Sequence, residues 1–197
     1  MKDRALAPLV AVTARHVSPF AVTWLSFFTG MAAAVLCYLG MFTGALWLWI
    51  LGRILDGLDG AIARAAGSQS DFGGYLDMVL DTIVYTAIPL AFALGSLEAP
   101  ALIACTVLLG SFYINLGSWM YLSALLEKRR AAGQAATSIV MPTGFVEGSE
   151  TVMFYVLFLI FPGYAVVLFA AMAALTLATA IQRVVVARRV LTLPTQL

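Results

Sequence analysis

Four aspartates stand close together in an otherwise apolar chain, within the stretch from Asp56 to Asp81. They form two pairs: Asp56 and Asp59 are three residues apart, and Asp77 and Asp81 are four residues apart. On a helix, residues at these spacings share one face. Carboxylates in apolar surroundings are costly unless they are paired with cations or bind a metal. The pattern therefore predicts a divalent-metal site for a phosphate-bearing ligand.

Mg²⁺, or Mn²⁺ in its place, is the ion that these side chains favour. Carboxylate and phosphate oxygens suit Mg²⁺, and no His or Cys stands near the four aspartates to favour zinc. Four carboxylates in one site could not all ionise without cations, and two divalent ions would balance their charge. Such a pair of ions can clamp the attacking and leaving oxygens of a phosphoryl displacement. We therefore expect a two-ion site that serves phosphoryl transfer.

The composition indicates an integral membrane protein. Hydrophobic residues make up 62% of the 197 residues, charged residues make up 11%, and the mean hydropathy is +0.98. A soluble domain carries roughly 25% charged residues. The net charge of +1 gives no reason to expect a nucleic-acid partner. Cys37 and Cys105 both lie in apolar runs, so we expect buried thiols and no disulfide.

Apolar segments of about 20 residues, the length that a bilayer requires, predict an all-α fold of six transmembrane helices. A short amphipathic helix on the membrane surface is expected before them, within residues 1–17. The whole chain, 1–197, would then form a single membrane domain, with the six-helix bundle in 18–190. The predicted spans are residues 19–39, 43–64, 72–95, 100–126, 148–161 and 163–187.

The basic residues predict that both termini lie in the cytoplasm. Lys and Arg precede the first helix, stand between the second and third, and follow the fourth and sixth, whereas the other connections contain none. The second helix would leave the membrane near Arg64, and the third would enter it near Asp71. Both aspartate pairs would then lie roughly 9–12 Å below the cytoplasmic surface. We therefore expect a multi-pass protein of the cytoplasmic (inner) membrane whose active site faces the cytoplasm.

The same stretch resembles the signature of the CDP-alcohol phosphotransferase family, D-x2-D-G-x2-A-R-x8-G-x3-D-x3-D. Every fixed position and every spacing agrees. The matching residues are Asp56, Asp59, Gly60, Ala63, Arg64, Gly73, Asp77 and Asp81. The resemblance implies a six-helix membrane enzyme, usually a homodimer, that moves a substituted phosphate from a CDP-linked donor to an acceptor alcohol and releases CMP.

The resemblance also implies roles for single residues. Asp56, Asp59 and Asp77 would bind metal, and Asp81 would approach the second metal and act as the general base. The residues expected at the nucleotide of the donor are Thr23, Gly60, Ala63, Arg64, Ser70 and Gly73. Thr23 ends the segment Pro-Phe-Ala-Val-Thr, where many relatives have Pro-Asn-x-x-Thr.

These expectations favour a phosphatidyltransferase of phospholipid biosynthesis, which moves a phosphatidyl group from CDP-diacylglycerol to an alcohol. The alternative within the family is transfer of a head group onto a lipid alcohol. A divalent-cation transporter or binder is the alternative from another class, but transport requires neither the adjacent Ala63 and Arg64 nor the glycines of the signature. Thr82 stands where phosphatidylglycerophosphate synthases tend to have Lys, which disfavours glycerol phosphate as the acceptor.

Three polar features outside the signature can each be interpreted in two ways. Arg53, one turn before Asp56, would pair with that carboxylate or reach a ligand phosphate. The basic run 128–130 would set the topology or hold an acceptor phosphate. Glu147 and Glu150 would cap the fifth helix or bind the acceptor.

Arg183 is near enough to its helix end to snorkel. Interhelical hydrogen bonds are expected from Ser111, Tyr113, Asn115 and Ser118.

Overall fold

The computed structural model describes residues 18–131 and 148–192. Within these ranges the chain forms α-helices and a single 3₁₀ turn, Pro162–Tyr164, and no strand. The helices are α1 (Pro19–Tyr38), α2 (Phe42–Ala65), α3 (Asp71–Ser96), α4 (Ala99–Ala131), α5 (Gly148–Ile160) and α6 (Ala165–Thr192). The all-α prediction is confirmed for this part of the chain. The expected N-terminal amphipathic helix and Glu147 lie outside the described residues.

Of the helices in these two ranges, four are long and apolar enough to cross a membrane: α1, α3, α4, and α6 together with its preceding 3₁₀ turn. α2 differs because any long window of it includes Arg53, Asp56 and Asp59, and charges are costly in a bilayer. α5 has only 13 residues. Large apolar side chains are exposed on the four long helices, as lipid-facing residues are: Leu25, Ile83, Ile103 and Val167. A multi-helix membrane protein is supported, and the six-span count and the cytoplasmic termini stay predictions.

Two helices extend beyond their predicted ends. α4 continues to Ala131 instead of 126, and α6 continues to Thr192 instead of 187. The basic run 128–130 occupies the last turn of α4, where positive charge interacts favourably with the helix dipole. Arg129 also donates hydrogen bonds to the carbonyl oxygens of Val190 and Leu191, at 3.2 and 2.6 Å. The residues beyond the predicted end at 126 therefore stabilise the ends of two helices.

The chain divides into two compact units, one up to Glu98 and the other from Ala99. In the first unit, α1 packs against both α2 and α3. The packed face of α1 consists of small residues, among them Gly30, Ala33, Ala34 and Cys37, all of them buried. Small residues let neighbouring helices approach closely. α1 is therefore the element that holds the two aspartate-bearing helices together.

Short connections set the register of these three helices. Gly40, with φ of 73°, ends α1, and Met41 N–H donates to Leu36 O at 2.8 Å. Gly67, with φ of 61°, ends α2, and Ser68 N–H donates to Ala63 O at 3.0 Å. Both are helix ends of the kind that glycine permits by adopting positive φ. The connection from α2 to α3 is therefore short, and the two aspartate pairs follow one another on adjacent helices.

In the second unit, α4 and α5 each pack against α6. Arg183 of α6 reaches α4: its Nη1 donates to Asn115 O and Oδ1, both at 2.9 Å, and to Ser118 Oγ at 3.0 Å. The expected interhelical hydrogen bonds of Asn115 and Ser118 are thus present. Ser111 instead donates to Leu108 O within its own helix, at 2.6 Å. The polar groups of this unit mainly join α4 to α6.

Replacing Gly30 by Ala should destabilise the first unit. A Cβ there would lie 2.6 Å from Val84 Cγ1, and the Val84 side chain is fully buried in α3. Overpacking of this kind costs about 1–3 kcal/mol. We expect a lower midpoint of thermal unfolding for the purified protein in detergent. Gly110→Ala is the matched control, because nothing lies within 4 Å of the position that its Cβ would take and alanine favours a helix. Equal midpoints for Gly30→Ala and the wild type would contradict the packing described above.

Candidate active site

Three of the four aspartates come together between α2 and α3. Asp56, Asp77 and Asp81 each offer a carboxylate oxygen, and these oxygens lie within 4.8 Å of one another. All three side chains are half-buried. Oxygen atoms this close can bind one small divalent cation in common, and carboxylates are the ligands that Mg²⁺ and Mn²⁺ prefer. The residues present therefore fit the expected metal.

Asp59 is held differently from the other three. It is buried, and its Oδ2 accepts a hydrogen bond from Thr23 Oγ1 at 2.6 Å. Thr23 is itself buried in α1, and its hydroxyl also lies 3.1 Å from Pro19 O. Since a hydroxyl carries one proton, the shorter contact with the carboxylate is the stronger candidate for donation. Thr23, expected at the nucleotide, contacts an aspartate in this structure.

A cavity of about 340 Å³ opens beside the carboxylates, within the first unit. It is lined by Ser18, Pro19, Phe20, Thr23, Asp59, Gly60, Ala63, Arg64, Ser68, Gln69, Ser70, Gly73, Gly74 and Asp77. All six residues expected at the nucleotide are in this set. Asp77 belongs both to the cavity wall and to the three-carboxylate cluster. The cavity and the candidate metal site therefore adjoin one another at Asp77.

Backbone features shape the wall of this cavity. A Cβ on Gly60 would lie 3.3 Å from Arg64 Nη1, so the absence of a side chain leaves room for the guanidinium. Ser70 is the N-cap of α3, and its Oγ accepts a hydrogen bond from Gly73 N–H at 3.0 Å. This start of α3 lies at the cavity, and a helix N-terminus favours negative charge. Arg64 and the first turn of α3 together make the cavity suitable for phosphate groups.

Arg53 has a closer partner than the one expected from its position. Its Nη1 lies 3.4 Å from Asp56 Oδ2, which is the pair predicted by the spacing. It also forms two shorter contacts with Asp81: Nη1 to Oδ2 at 3.1 Å and Nη2 to Oδ1 at 2.9 Å. Asp81 is 28 residues away on the next helix, so local spacing gave no indication of this pair. Equal depth on adjacent helices was the available signal.

Glu150 and Arg129 have partners within the second unit. Glu150 lies in the first turn of α5, where an acidic side chain favours the helix N-terminus, and it accepts a hydrogen bond from Ser149 Oγ at 3.1 Å. Arg129 interacts with the end of α6, as described above. Glu150 is thus placed as a helix-capping residue, whereas the role of the basic run in topology stays a prediction.

Comparison with known proteins agrees with the family resemblance of the aspartate signature. The family model for CDP-alcohol phosphatidyltransferase matches residues 16–186. Inner membrane protein YnjF of Escherichia coli is 36% identical over 150 residues, which are 75% of this chain and 72% of that protein. Archaetidylinositol phosphate synthase of Pyrococcus horikoshii is 29% identical over 137 residues, which are 70% of this chain and 66% of that protein.

The fold also resembles a solved structure. The phosphatidylinositol phosphate synthase of Mycobacterium tuberculosis, crystallised with CDP-DAG bound, superposes with a TM-score of 0.72 at 23% identity, covering 93% of this chain and 94% of that one. The same synthase in complex with manganese and citrate gives a TM-score of 0.68 at 22% identity, covering 94% of this chain and 87% of that one. At such identities the likeness concerns the fold.

Replacing Thr23 by Val should destabilise the first unit through Asp59. Valine has a similar shape but cannot donate a hydrogen bond, so the buried carboxylate loses its partner at 2.6 Å. Losing a hydrogen bond to a charged group costs about 1.5–3 kcal/mol. We expect a lower midpoint of thermal unfolding in detergent for Thr23→Val, whereas Thr23→Ser keeps the hydroxyl and should approach the wild-type value. If both variants unfold like the wild type, the Thr23–Asp59 contact does not stabilise the protein.

Proposed function

The chain belongs to the CDP-alcohol phosphatidyltransferase family, and from this membership we propose that it transfers a phosphatidyl group from CDP-diacylglycerol to an acceptor alcohol and releases CMP. The protein would thereby act in phospholipid biosynthesis. The observation that carries the proposal is the junction at Asp77, where the cavity bearing the six expected nucleotide residues adjoins the cluster of three carboxylates. A CDP-linked donor needs such neighbouring sites, one for the nucleotide and one for the metal ions that offset the charge of its pyrophosphate.

The cavity residues would bind the CDP part of the donor. Arg64 supplies a positive charge for the pyrophosphate, and Ser70 with the N-terminus of α3 supplies hydrogen-bond donors. Gly60, Ala63 and Gly73 keep the wall free of bulk, so that the ligand can approach the backbone. The acyl chains would remain in the bilayer.

The carboxylates would hold divalent metal, Mg²⁺ or Mn²⁺. Within residues 18–131 and 148–192, no other group of acidic, His or Cys side chains comes together in a comparable cluster. Asp56, Asp77 and Asp81 are the ligands that the cluster supplies, and Asp59 completes the proposed set for two ions. When bound, such ions offset the negative charge of the pyrophosphate. Asp59 is kept in position for this role by the Thr23 hydroxyl.

Asp81 is the proposed general base. Its carboxylate accepts the proton of the acceptor hydroxyl. The acceptor oxygen then forms a bond to the phosphorus that carries the diacylglycerol, and the bridging bond to the CMP phosphate breaks. CMP leaves with the electron pair of that bond, while Arg64 stabilises the charge that develops on its phosphate.

We propose a single membrane domain of six spans, with both termini and the active site at the cytoplasmic face. The charges of α2 are the proposed site itself, which explains why that helix is less apolar than its neighbours. The likeness to an inner membrane protein of Escherichia coli supports a multi-pass protein of the cytoplasmic membrane. The family resemblance further suggests a homodimer.

The activity can be tested with the purified protein in detergent, CDP-diacylglycerol and Mg²⁺. The acceptor panel contains serine, inositol, inositol phosphate, glycerol phosphate and phosphatidylglycerol. Inositol phosphate comes first, because two of the similar proteins bear the names of inositol phosphate lipid synthases. We expect CMP release and a new phospholipid, identified by mass spectrometry, with at least one acceptor. Absence of CMP release with every acceptor and every other CDP-linked donor would refute the proposal, and metal flux into proteoliposomes would then favour a transporter.

Replacing Asp81 by Asn should lower turnover at least about 100-fold, because general-base catalysis contributes on this order. Binding of CDP-diacylglycerol should largely survive, since the cavity is lined by other residues. The matched control is Glu127→Gln, an exposed carboxylate in the second unit, which should keep wild-type turnover. Full activity of the Asp81 variant would exclude it as the base.

A further inference from the structure

Arg53 is a charged side chain of the site to which the reaction above gives no role. Its side chain is only 10% exposed. Two aromatic rings enclose the guanidinium: Cζ lies 4.8 Å from the Trp49 ring centroid and 5.1 Å from that of Tyr85. The Tyr85 hydroxyl also accepts a long hydrogen bond from Nη1, at 3.4 Å. Since one ring comes from α2 and the other from α3, the guanidinium is held by both helices.

This enclosure directs the guanidinium at Asp81. Both terminal nitrogens donate, one to each carboxylate oxygen, at 3.1 and 2.9 Å. Two parallel hydrogen bonds restrict the rotation of a carboxylate, which one bond would not do. Asp56 lies at 3.4 Å from Nη1, so the same cation also offsets the charge of a second carboxylate.

We propose that Arg53 is the positioning residue of Asp81. It holds the plane of that carboxylate in one orientation while Asp56 and Asp77 repel it from within 4.8 Å. The inference rests on the proposed function, in which Asp81 takes the proton of the acceptor. A misplacement of a catalytic group by about 1 Å can lower a rate by about 100-fold, so a fixed carboxylate matters for turnover more than for donor binding.

The two contributions of Arg53, its charge and its planar fork, can be separated by substitution. Lysine keeps the positive charge but presents a point charge without the fork, and it stacks less well on aromatic rings. Glutamine removes the charge. A cation near the three carboxylates repels a divalent ion, so removing its charge should strengthen metal binding even as it loosens Asp81.

The test measures kcat, KM for CDP-diacylglycerol and Mn²⁺ affinity for the wild type, Arg53→Lys and Arg53→Gln. Mn²⁺ binding is followed by electron paramagnetic resonance without substrate. For Arg53→Lys we expect kcat to fall about 10-fold to 100-fold, with KM and Mn²⁺ affinity within about threefold of wild type. For Arg53→Gln we expect a loss of about 100-fold or more in kcat, together with Mn²⁺ binding at least about threefold tighter.

Arg183→Lys is the matched control, because Arg183 likewise joins two helices through three hydrogen bonds but lies in the second unit. Arg183→Lys should lower the midpoint of thermal unfolding, but it should not lower kcat while leaving Mn²⁺ affinity unchanged, as Arg53→Lys is expected to do. The inference is overturned if both Arg53 variants keep wild-type kcat, or if Arg53→Gln weakens Mn²⁺ binding along with stability, as a purely structural residue would. An inactive wild type would refute the proposed function instead, and the Mn²⁺ arm would still report whether Arg53 opposes cation binding.

Discussion

The mutual repulsion of carboxylates in an apolar chain is the constraint on which the first unit depends. Three carboxylate oxygens lie within 4.8 Å of one another, in a protein in which 62% of the residues are hydrophobic. Separating such charges by a small rotation of either helix would relieve the repulsion. The structure opposes that rotation by bonding Arg53 to both helices: to Asp56 on its own helix and to Asp81 across the gap. The Arg53 side chain makes both the cation–π contacts and the bidentate pair with Asp81. This single arginine therefore offsets the carboxylate charge and also fixes the register of the two helices.

Helix packing supplies the second requirement, which is proximity. The face of α1 that packs against α2 and α3 is made of small residues, and Gly30 approaches Val84 so closely that even a methyl group would not fit. Nearer the N-terminus of α1, the Thr23 hydroxyl contacts Asp59. α1 therefore has two functions in the unit: its small residues bring the aspartate helices together, and its hydroxyl orients one aspartate.

The sequence predicted which residues lie together at the candidate site but not the contacts that orient them. The aspartates and glycines could be recognised because helical spacing and the family signature are local properties of the chain. The Thr23–Asp59 and Arg53–Asp81 contacts join residues 36 and 28 positions apart, and they depend on how the helices pack. The extension of α4 through residues 128–130 was missed for a related reason. The predicted span ended at 126, before the basic run, whereas Arg129 continues the helix and donates to carbonyl oxygens at the end of α6.

The four aspartates of the motif lie in two different environments. Asp59 lines the cavity and is held by a neutral hydroxyl, whereas Asp81 belongs to the cluster and is held by a cation. A carboxylate that lies beside two others gains from a neighbouring cation, which offsets the repulsion among them. Asp77 belongs to both environments, because it lines the cavity and also offers an oxygen to the carboxylate cluster.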